Sequence, residues 1–509
     1  MLLTMLAATA HNTPLTRTVS SESGLRLSPQ PSVSWRVDEC PASASIRIES
    51  AEQHQEMGGF GASMLEAGAM NLNALPHAKQ SELLEMLFGR SGARLSAMKA
   101  TMLGNDFSTA SDGKWTTYDD TPEDLVLKDF SIARDLGPAG SVTFIKRALA
   151  AGFEGTIQAY MDYAPDWMYV DANTSKTLRT DCYDALALYM AKYVEAYASH
   201  GVPIAFLEAF NEPTDSYTQM DPTQLATFLG RHLGPTFETR GLWPKQTKLT
   251  YGGQCARATA ALFVPHVLAD EHARRYMDVI AYHGYDCQFN CTDDRQNYNL
   301  IAEIAKHDAK RRPIWMTEIC YAYNGDDPNC TTAATLKYCV DYPRNVSLAP
   351  ALPRRDFGDG ATWGHRIVKE VQAGASGWIY WNLLLDTRGG PFNLSPSHND
   401  GPGNYQHPVV IVDVAEGEFH PTGLFYFLAH FARFVRPGAV RIGTHDGELA
   451  EGVSAVGFAT PDDSSSTVLQ IVNRAATTRR VTVCSGGSVA DVELPATSIT
   501  TAEWRVQDA

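Results

Sequence analysis

The chain has 509 residues, of which 44% are hydrophobic and 20% charged, and its formal net charge is -16. These are the proportions of a globular protein with a large core, and the negative balance argues against nucleic acid as a partner. No apolar run reaches the roughly 18 residues that a transmembrane helix needs.

The first ten residues, Met-Leu-Leu-Thr-Met-Leu-Ala-Ala-Thr-Ala, are short and apolar, end in an Ala-x-Ala pattern and lack a basic start. They read as a signal remnant. Residues 11–30 are polar and Ser-rich, so residues 1–30 are expected to form a loose N-terminal segment. Val33-Ser-Trp-Arg-Val37 and Ile46-Arg-Ile-Glu-Ser50 alternate apolar with polar, as half-buried strands do. Met57-Gly-Gly-Phe-Gly-Ala-Ser63 is glycine-rich but lacks the Lys-Ser/Thr of a phosphate loop, so its glycines predict close packing instead.

From there strand and helix patterns alternate. Strands are predicted to start near 57, 95, 156, 204, 248, 279, 313 and 377. Helices are predicted over 76–89, 139–151, 182–199, 298–309, 361–372 and 421–434, and Asp221-Pro-Thr opens another with a cap residue followed by proline. This alternation predicts an α/β fold, a (β/α)8 barrel, over 58–435. After 436 the pattern becomes short strands divided by Asp/Ser/Gly turns, at 453–458, 467–472, 480–483 and 498–504. They predict a side β-sandwich over 436–509, completed by the strands of 31–57 and so built from both chain ends.

Two stretches carry the chemistry. Phe206-Leu-Glu-Ala-Phe-Asn-Glu-Pro213 opens apolar and ends on an Asn-Glu pair stopped by a proline that cannot donate to a ladder. Arg312-Pro-Ile-Trp-Met-Thr-Glu318 likewise ends on a carboxylate. Carboxylates at the ends of two barrel strands suggest glycosidic cleavage, which needs one acid and one base or nucleophile.

Nine cysteines are an odd number, so at least one is free or pairs between chains. Cys287-x3-Cys291 and Cys330-x8-Cys339 fit zinc-site spacing poorly. Five Asn-x-Ser/Thr sites, at Asn173, Asn290, Asn329, Asn345 and Asn393, together with the clustered cysteines favour a secretory route, extracellular or lysosomal. Local pairs Cys287–Cys291 and Cys330–Cys339 are expected, because short loops close most readily. Cys320 is expected buried and reduced.

Read together, several stretches resemble glycoside hydrolase family 30 and, within it, the glucosylceramidases. They are Gly59-Phe-Gly-Ala-Ser-Met-Leu-Glu-Ala67, Asn105-Asp-Phe-Ser108, Tyr118-Asp-Asp-Thr-Pro-Glu-Asp-Leu125 and Asn211-Glu-Pro213, then Thr317-Glu-Ile-Cys320, Gly377-Trp-Ile-Tyr-Trp-Asn-Leu383, Gly389-Gly-Pro391 and Phe434-Val-Arg-Pro-Gly438. Asn-Glu-Pro alone is common among barrel glycosidases, but the ordered set is specific. The resemblance implies a barrel with a β-sandwich, Glu212 as acid/base and Glu318 as nucleophile. It also implies that Asn211 bonds the sugar 2-hydroxyl, that Asp106 holds hydroxyls across the ring, and that Trp381 lies under the ring. His283 and Tyr285 would flank and orient the nucleophile, and Asp162 and Trp167 fall in the sugar-pocket motif after strand three.

The implied reaction is retaining. Glu212 starts protonated, Glu318 attacks C1, and Glu212 then activates water, with no metal or cofactor required. The implied substrate is a glycolipid such as glucosylceramide or a related β-glucoside, and any contact with a membrane surface would come through it. A secreted glycanase or exo-glycosidase acting on a β-linked polysaccharide, and an inactive glycan- or lipid-binding protein, are the competing readings. Two departures from the family pattern stand out. Lys99-Ala-Thr101 replaces Arg-x-Pro on strand two, and Glu208, of the same strand parity as Glu212, is a candidate partner for Lys99. Asp162 stands where glucosylceramidases carry a tryptophan.

Overall fold

The structure is a computed structural model that describes residues 13–43, 45–111, 114–172, 175–214, 218–286, 297–320, 322–324, 357–391, 404–447, 449–461 and 465–505. Eight parallel strands form a barrel: β1 Gly59–Met64, β2 Ala97–Thr101, β3 Thr156–Tyr160, β4 Phe206–Glu208, β5 in two pieces at Lys248–Thr250 and Gly253–Gln254, β6 Ile280–His283, β7 Ile314–Glu318 and β8 Gly377–Tyr380. β8 pairs back onto β1. The split β5 completes the ring, its first piece lying on β4 and its second on β6. The predicted helices are found, among them His77–Phe88, Ser141–Ala150, Tyr183–Ser199 and Gly358–Ala373. Asp221 caps the helix beginning at Pro222 with a capping box, as its sequence signalled.

The barrel interior is layered by strand parity. Ala97, Phe206, Val279, Trp315 and Ile379 form an apolar plug, with the Phe206 and Trp315 rings 5.2 Å apart. The indole of Trp315 is clamped where Gly58 and Gly377 leave room: a Cβ on either would lie 2.2 Å from a ring carbon. Two residues beyond Ala97 and Phe206, on the same strand faces, come Lys99 and Glu208, both without exposed surface. The plug is therefore the floor on which a layer of charge rests.

The second domain departs from expectation at its N-terminal edge. Residues expected to be loose form the strand Leu15–Ser21 and much of Ser28–Val33. The reason is pairing: Thr16–Ser21 run antiparallel against Ser498–Glu503, and Leu15 and Val19 are buried behind them. The single strand expected over 33–37 is divided between Ser28–Val33 and Arg36–Val37, while the one at 46–50 extends over Ser45–Glu56. Two further strands were not expected, Val440–His445 and Ser488–Leu494. Ten strands from both chain ends are hydrogen-bonded in one sheet. The sheet folds so that Leu15, Ile48, Leu469, Val492 and Trp504 share a core. Cys40 and Cys484, 444 residues apart, are joined by a disulfide with Cα atoms 5.7 Å apart. The expected pairs Cys287–Cys291 and Cys330–Cys339, and the five glycosylation sites, lie outside the described residues. Cys320 is buried and free, as expected.

Candidate active site

The hydrogen-bonded ladder of β4 ends at Glu208, earlier than the proline alone implied. Asn211 keeps one bridge, to Gly253, and the Glu212 N–H donates to the Gly253 carbonyl at 2.8 Å. Glu212 has φ 40°, a left-handed conformation unusual for a residue with a side chain. Such a backbone costs on the order of 1–3 kcal/mol and persists where surrounding structure enforces it, commonly at active sites. A second irregularity re-aims the other carboxylate. The β6–β7 register runs Tyr282↔Met316 and then slips, so that His283 faces Glu318 instead of Thr317. A bulge of this kind turns a side chain that strict alternation would send elsewhere.

The result is a convergence of charge at the C-terminal ends of the strands. One oxygen each of Glu212 and Glu318 and a ring nitrogen of His283 all lie within 4.8 Å of one another. His283 Nδ1 is 2.7 Å from Glu212 and 3.7 Å from Glu318. Lys99 Nζ is 2.9 Å from Glu318 and 3.8 Å from Glu208, and its ammonium sits 4.0 Å from the Tyr160 ring centroid and 5.5 Å from that of Trp381. Tyr285 donates its hydroxyl to Glu318 at 3.1 Å. Exposure rises toward the reacting groups, from 0% for the His283 side chain to 7% for Glu318 and 16% for Glu212.

Burial alone would strip the proton from His283, but the charge of Glu318, the carboxylate of Glu208 at 3.5 Å and the hydrogen bond to Glu212 outweigh it and raise its pKa to about 9. Burial likewise opposes the Lys99 ammonium, yet Glu318 and Glu208 hold its pKa above the ordinary lysine value. Glu208 is pushed up by burial and pulled further down by Lys99 and His283, ending below the usual carboxylate range. Burial holds the Tyr285 hydroxyl and the Cys320 thiol protonated. Glu212, His283 and Glu318 are close enough to grip a cation, but Lys99 and His283 already supply the positive charge, so the donor set does not favour a metal.

The sequence-predicted residues are mostly brought together, with corrections. His283, expected to orient the nucleophile, sits closer to Glu212. Lys99 pairs with Glu208 as expected, at 3.8 Å, and lies nearer still to Glu318, at 2.9 Å. Asn211 Nδ2 donates to Asp162 at 3.3 Å, and Gln406 Nε2 donates to Asp106 at 3.4 Å. Trp381 is buried in the site, its ring 5.9 Å from that of Tyr160. Trp167 stands apart. Its indole N–H needs an acceptor and takes the Asp119 carbonyl at 3.0 Å, and no contact among the described residues links it to Glu212 or Glu318. Gln406 was missed. It joins Asp106, Asn382 and the Cys320 sulfur, and nothing in its local sequence announces this. Gln158, which donates to Glu208 at 2.7 Å, was also missed, although its inward parity on β3 beside Lys99 and Glu208 offered a signal.

The profile of the glycosyl hydrolase family 30 TIM-barrel domain matches residues 57–324 and 352–435, and that of the family 30 beta sandwich domain matches 438–502. The chain belongs to glycoside hydrolase family 30. As a family 30 enzyme it is an O-glycosyl hydrolase. Lysosomal acid glucosylceramidase of Mus musculus is 24% identical, over 91% of this chain and 84% of the relative. Endo-1,6-beta-D-glucanase of Neurospora crassa is 25% identical, over 82% of this chain and 78% of the relative. Among solved structures, SrfJ from Salmonella typhimurium superposes with a TM-score of 0.79 at 21% identity, over 97% of this chain and 100% of that one. The family barrel and sandwich therefore account for most of the described chain, from residue 57 to residue 502.

Proposed function

We propose that this family 30 enzyme is a retaining β-glucosidase whose substrate is glucosylceramide or a related β-glucoside. The observation that carries the retaining assignment is the approach of Glu212 and Glu318 oxygens to within 4.8 Å. Retaining pairs stand about 5–5.5 Å apart, whereas inverting pairs leave about 6.5–9.5 Å for a water. Glu318, paired with Lys99, attacks C1 as an anion. Glu212 gives its proton to the departing oxygen, then takes one from the water that releases the sugar. Asn211, whose buried Oδ1 has no partner among the described residues, accepts from the sugar 2-hydroxyl. Trp381 lies beneath the ring, and Asp106 and Asp162 hold hydroxyls beyond it.

The glucosylceramide assignment draws support from the mouse relative, and the Cys40–Cys484 disulfide favours the oxidising compartment of a secretory route. One observation favours a second substrate, a β-1,6-linked glucan. Asp162 lies against Asn211 where an aromatic would offer an apolar surface, and the Neurospora relative is named a 1,6-glucanase. A 2-fluoro glucoside inactivator is expected to label Glu318; a label elsewhere, or inverted product, sinks the retaining assignment. Turnover of glucosylceramide beside a β-1,6-glucan then decides the substrate, and hydrolysis of the glucan alone replaces the leading reading with the second.

A further inference from the structure

Glu208 is a buried acid that the reaction does not consume. It is wholly inaccessible, yet it is built into the site from four sides. Gln158 of β3 donates to one oxygen at 2.7 Å. The other oxygen faces Lys99 of β2 at 3.8 Å and His283 Nε2 of β6 at 3.5 Å. On β5 the space is kept clear by Gly253, where a Cβ would stand 2.4 Å from Glu208 Oε1 and 2.7 Å from His283 Nε2. The two cations that Glu208 touches are the same two that touch the reacting carboxylates.

We propose that Glu208 is a positioning residue for the catalytic pair: its carboxylate is the fixed counter-charge that lets one negative charge pass between Glu318 and Glu212 without changing the buried total. This rests on the assignment of Glu318 as nucleophile and Glu212 as acid/base. Before reaction, Lys99 and His283 are positive, Glu208 and Glu318 are negative, and Glu212 carries a proton, so the sum is zero. In the first step Glu318 forms a bond to C1 as the bond from C1 to the leaving oxygen breaks, and the Glu212 proton goes to that oxygen. Glu318 is now a neutral ester and Glu212 is the anion, so the sum is again zero. His283, between the two, faces whichever is charged. Hydrolysis runs the transfer backwards. The other groups facing this cluster do not alter the count. Tyr160 and Tyr251 near Glu208, and Tyr285 and Cys320 near Glu318, are held protonated by burial. Asp162, whose charge also acts on Lys99, and Asp106 take no part in the proton transfer.

Without Glu208 the cluster would carry one excess positive charge, which the free enzyme relieves by ionising Glu212 or by discharging His283. Glu208→Gln keeps the shape and removes the charge. It is expected to move the basic limb of the kcat/KM profile to lower pH by about one unit. It should also cut kcat/KM about tenfold for β-glucosides with poor leaving groups, which need the acid, while sparing 2,4-dinitrophenyl β-glucoside, which does not. Glu208→Asp, which keeps the charge, should hold the limb in place. Limbs that stay fixed in Glu208→Gln, with equal losses for all leaving groups, would overturn the proposal and leave Glu208 a packing residue. Should Glu208→Gln not fold, nitrogen NMR of histidine-labelled wild-type enzyme gives the answer. The His283 ring should be doubly protonated near neutral pH both in the free enzyme and after trapping with a 2-fluoro glucoside, and a neutral ring in either state overturns the charge count. The trapping also separates the two ideas, because a label on any residue but Glu318 fails the catalytic assignment and not the role of Glu208 alone.

Discussion

The catalytic end of the barrel and the core of the sandwich hide their side chains equally well but hide different things. In the barrel, Lys99, Glu208 and His283 have no exposed surface and are held by one another and by the reacting carboxylates. In the sandwich, Leu15, Ile46, Leu469, Val483 and Val492 are as deeply buried and share an apolar core. Burying each such aliphatic chain contributes about 1.5–3 kcal/mol. A buried ion pair roughly breaks even, because desolvation offsets most of the attraction. The sandwich and the apolar plug under Trp315 therefore stabilise the fold, and the charged layer draws on that surplus to hold reactive groups in place.

Substitutions should separate these two kinds of burial. The largest effect is expected at Glu318. Glu318→Gln should lower kcat by more than about 10^4-fold with the melting temperature unchanged or raised. A variant that keeps a tenth of the activity would deny Glu318 its role. Next comes Leu469→Ala, expected to cost about 2–5 kcal/mol in denaturant unfolding while the folded fraction keeps its kcat. Loss of kcat without loss of stability would show that the sandwich acts on the site directly.

A third test compares two buried acids. Glu208 is drawn down by cations, whereas Asp135 is pushed up by burial to about 6, against hydrogen bonds from the Tyr118 and Tyr197 hydroxyls at 2.5 and 2.6 Å. For an acid raised on folding, the stability is fully present below the unfolded value of 3.8 and is lost as pH rises through 6. Asp135 should thus withdraw on the order of 3 kcal/mol between pH 4 and 7. Urea midpoints for the wild type should fall over that range, and those for Asp135→Asn should fall less. Parallel curves would remove Asp135 as the cause. The smallest effect is expected at Asp162. Asp162→Ala should narrow the kcat/KM ratio of glucoside over galactoside by about tenfold, since a missing or misplaced hydroxyl would no longer leave a carboxylate unpaired. Unchanged ratios would show that Asp162 serves the protein's own groups, Asn211 among them, and not the sugar.

Much of this was legible before any coordinates. The period-two and helical patterns placed the eight strands, and the run to Glu318 marked the end of β7, while Pro213 marked only the loop into which β4 leads. The charged Lys99 and Glu208 could be paired because residues at matching parity on neighbouring barrel strands face one interior. The strand Leu15–Ser21 was illegible because its serines and threonines look like loop until Ser498–Arg505 supplies the partner edge. The anchor of Trp167 was illegible because a motif gives a residue's position on the chain but not the acceptor its indole will find, here the Asp119 carbonyl.

By itself the sequence determined the barrel, its sandwich, and the two acids at strand ends, because hydrophobic period and chain-stopping residues are local properties. Only the tertiary structure decided which way those acids point. The slip that sets His283 opposite Glu318, the left-handed turn at Glu212 and the space kept open at Gly253 each depend on a neighbouring strand far away in sequence. The same is true of the Cys40–Cys484 bond and of Gln406 beside Asp106. Burial and charge pairing are sums over neighbours in space, and no window along the chain contains those neighbours.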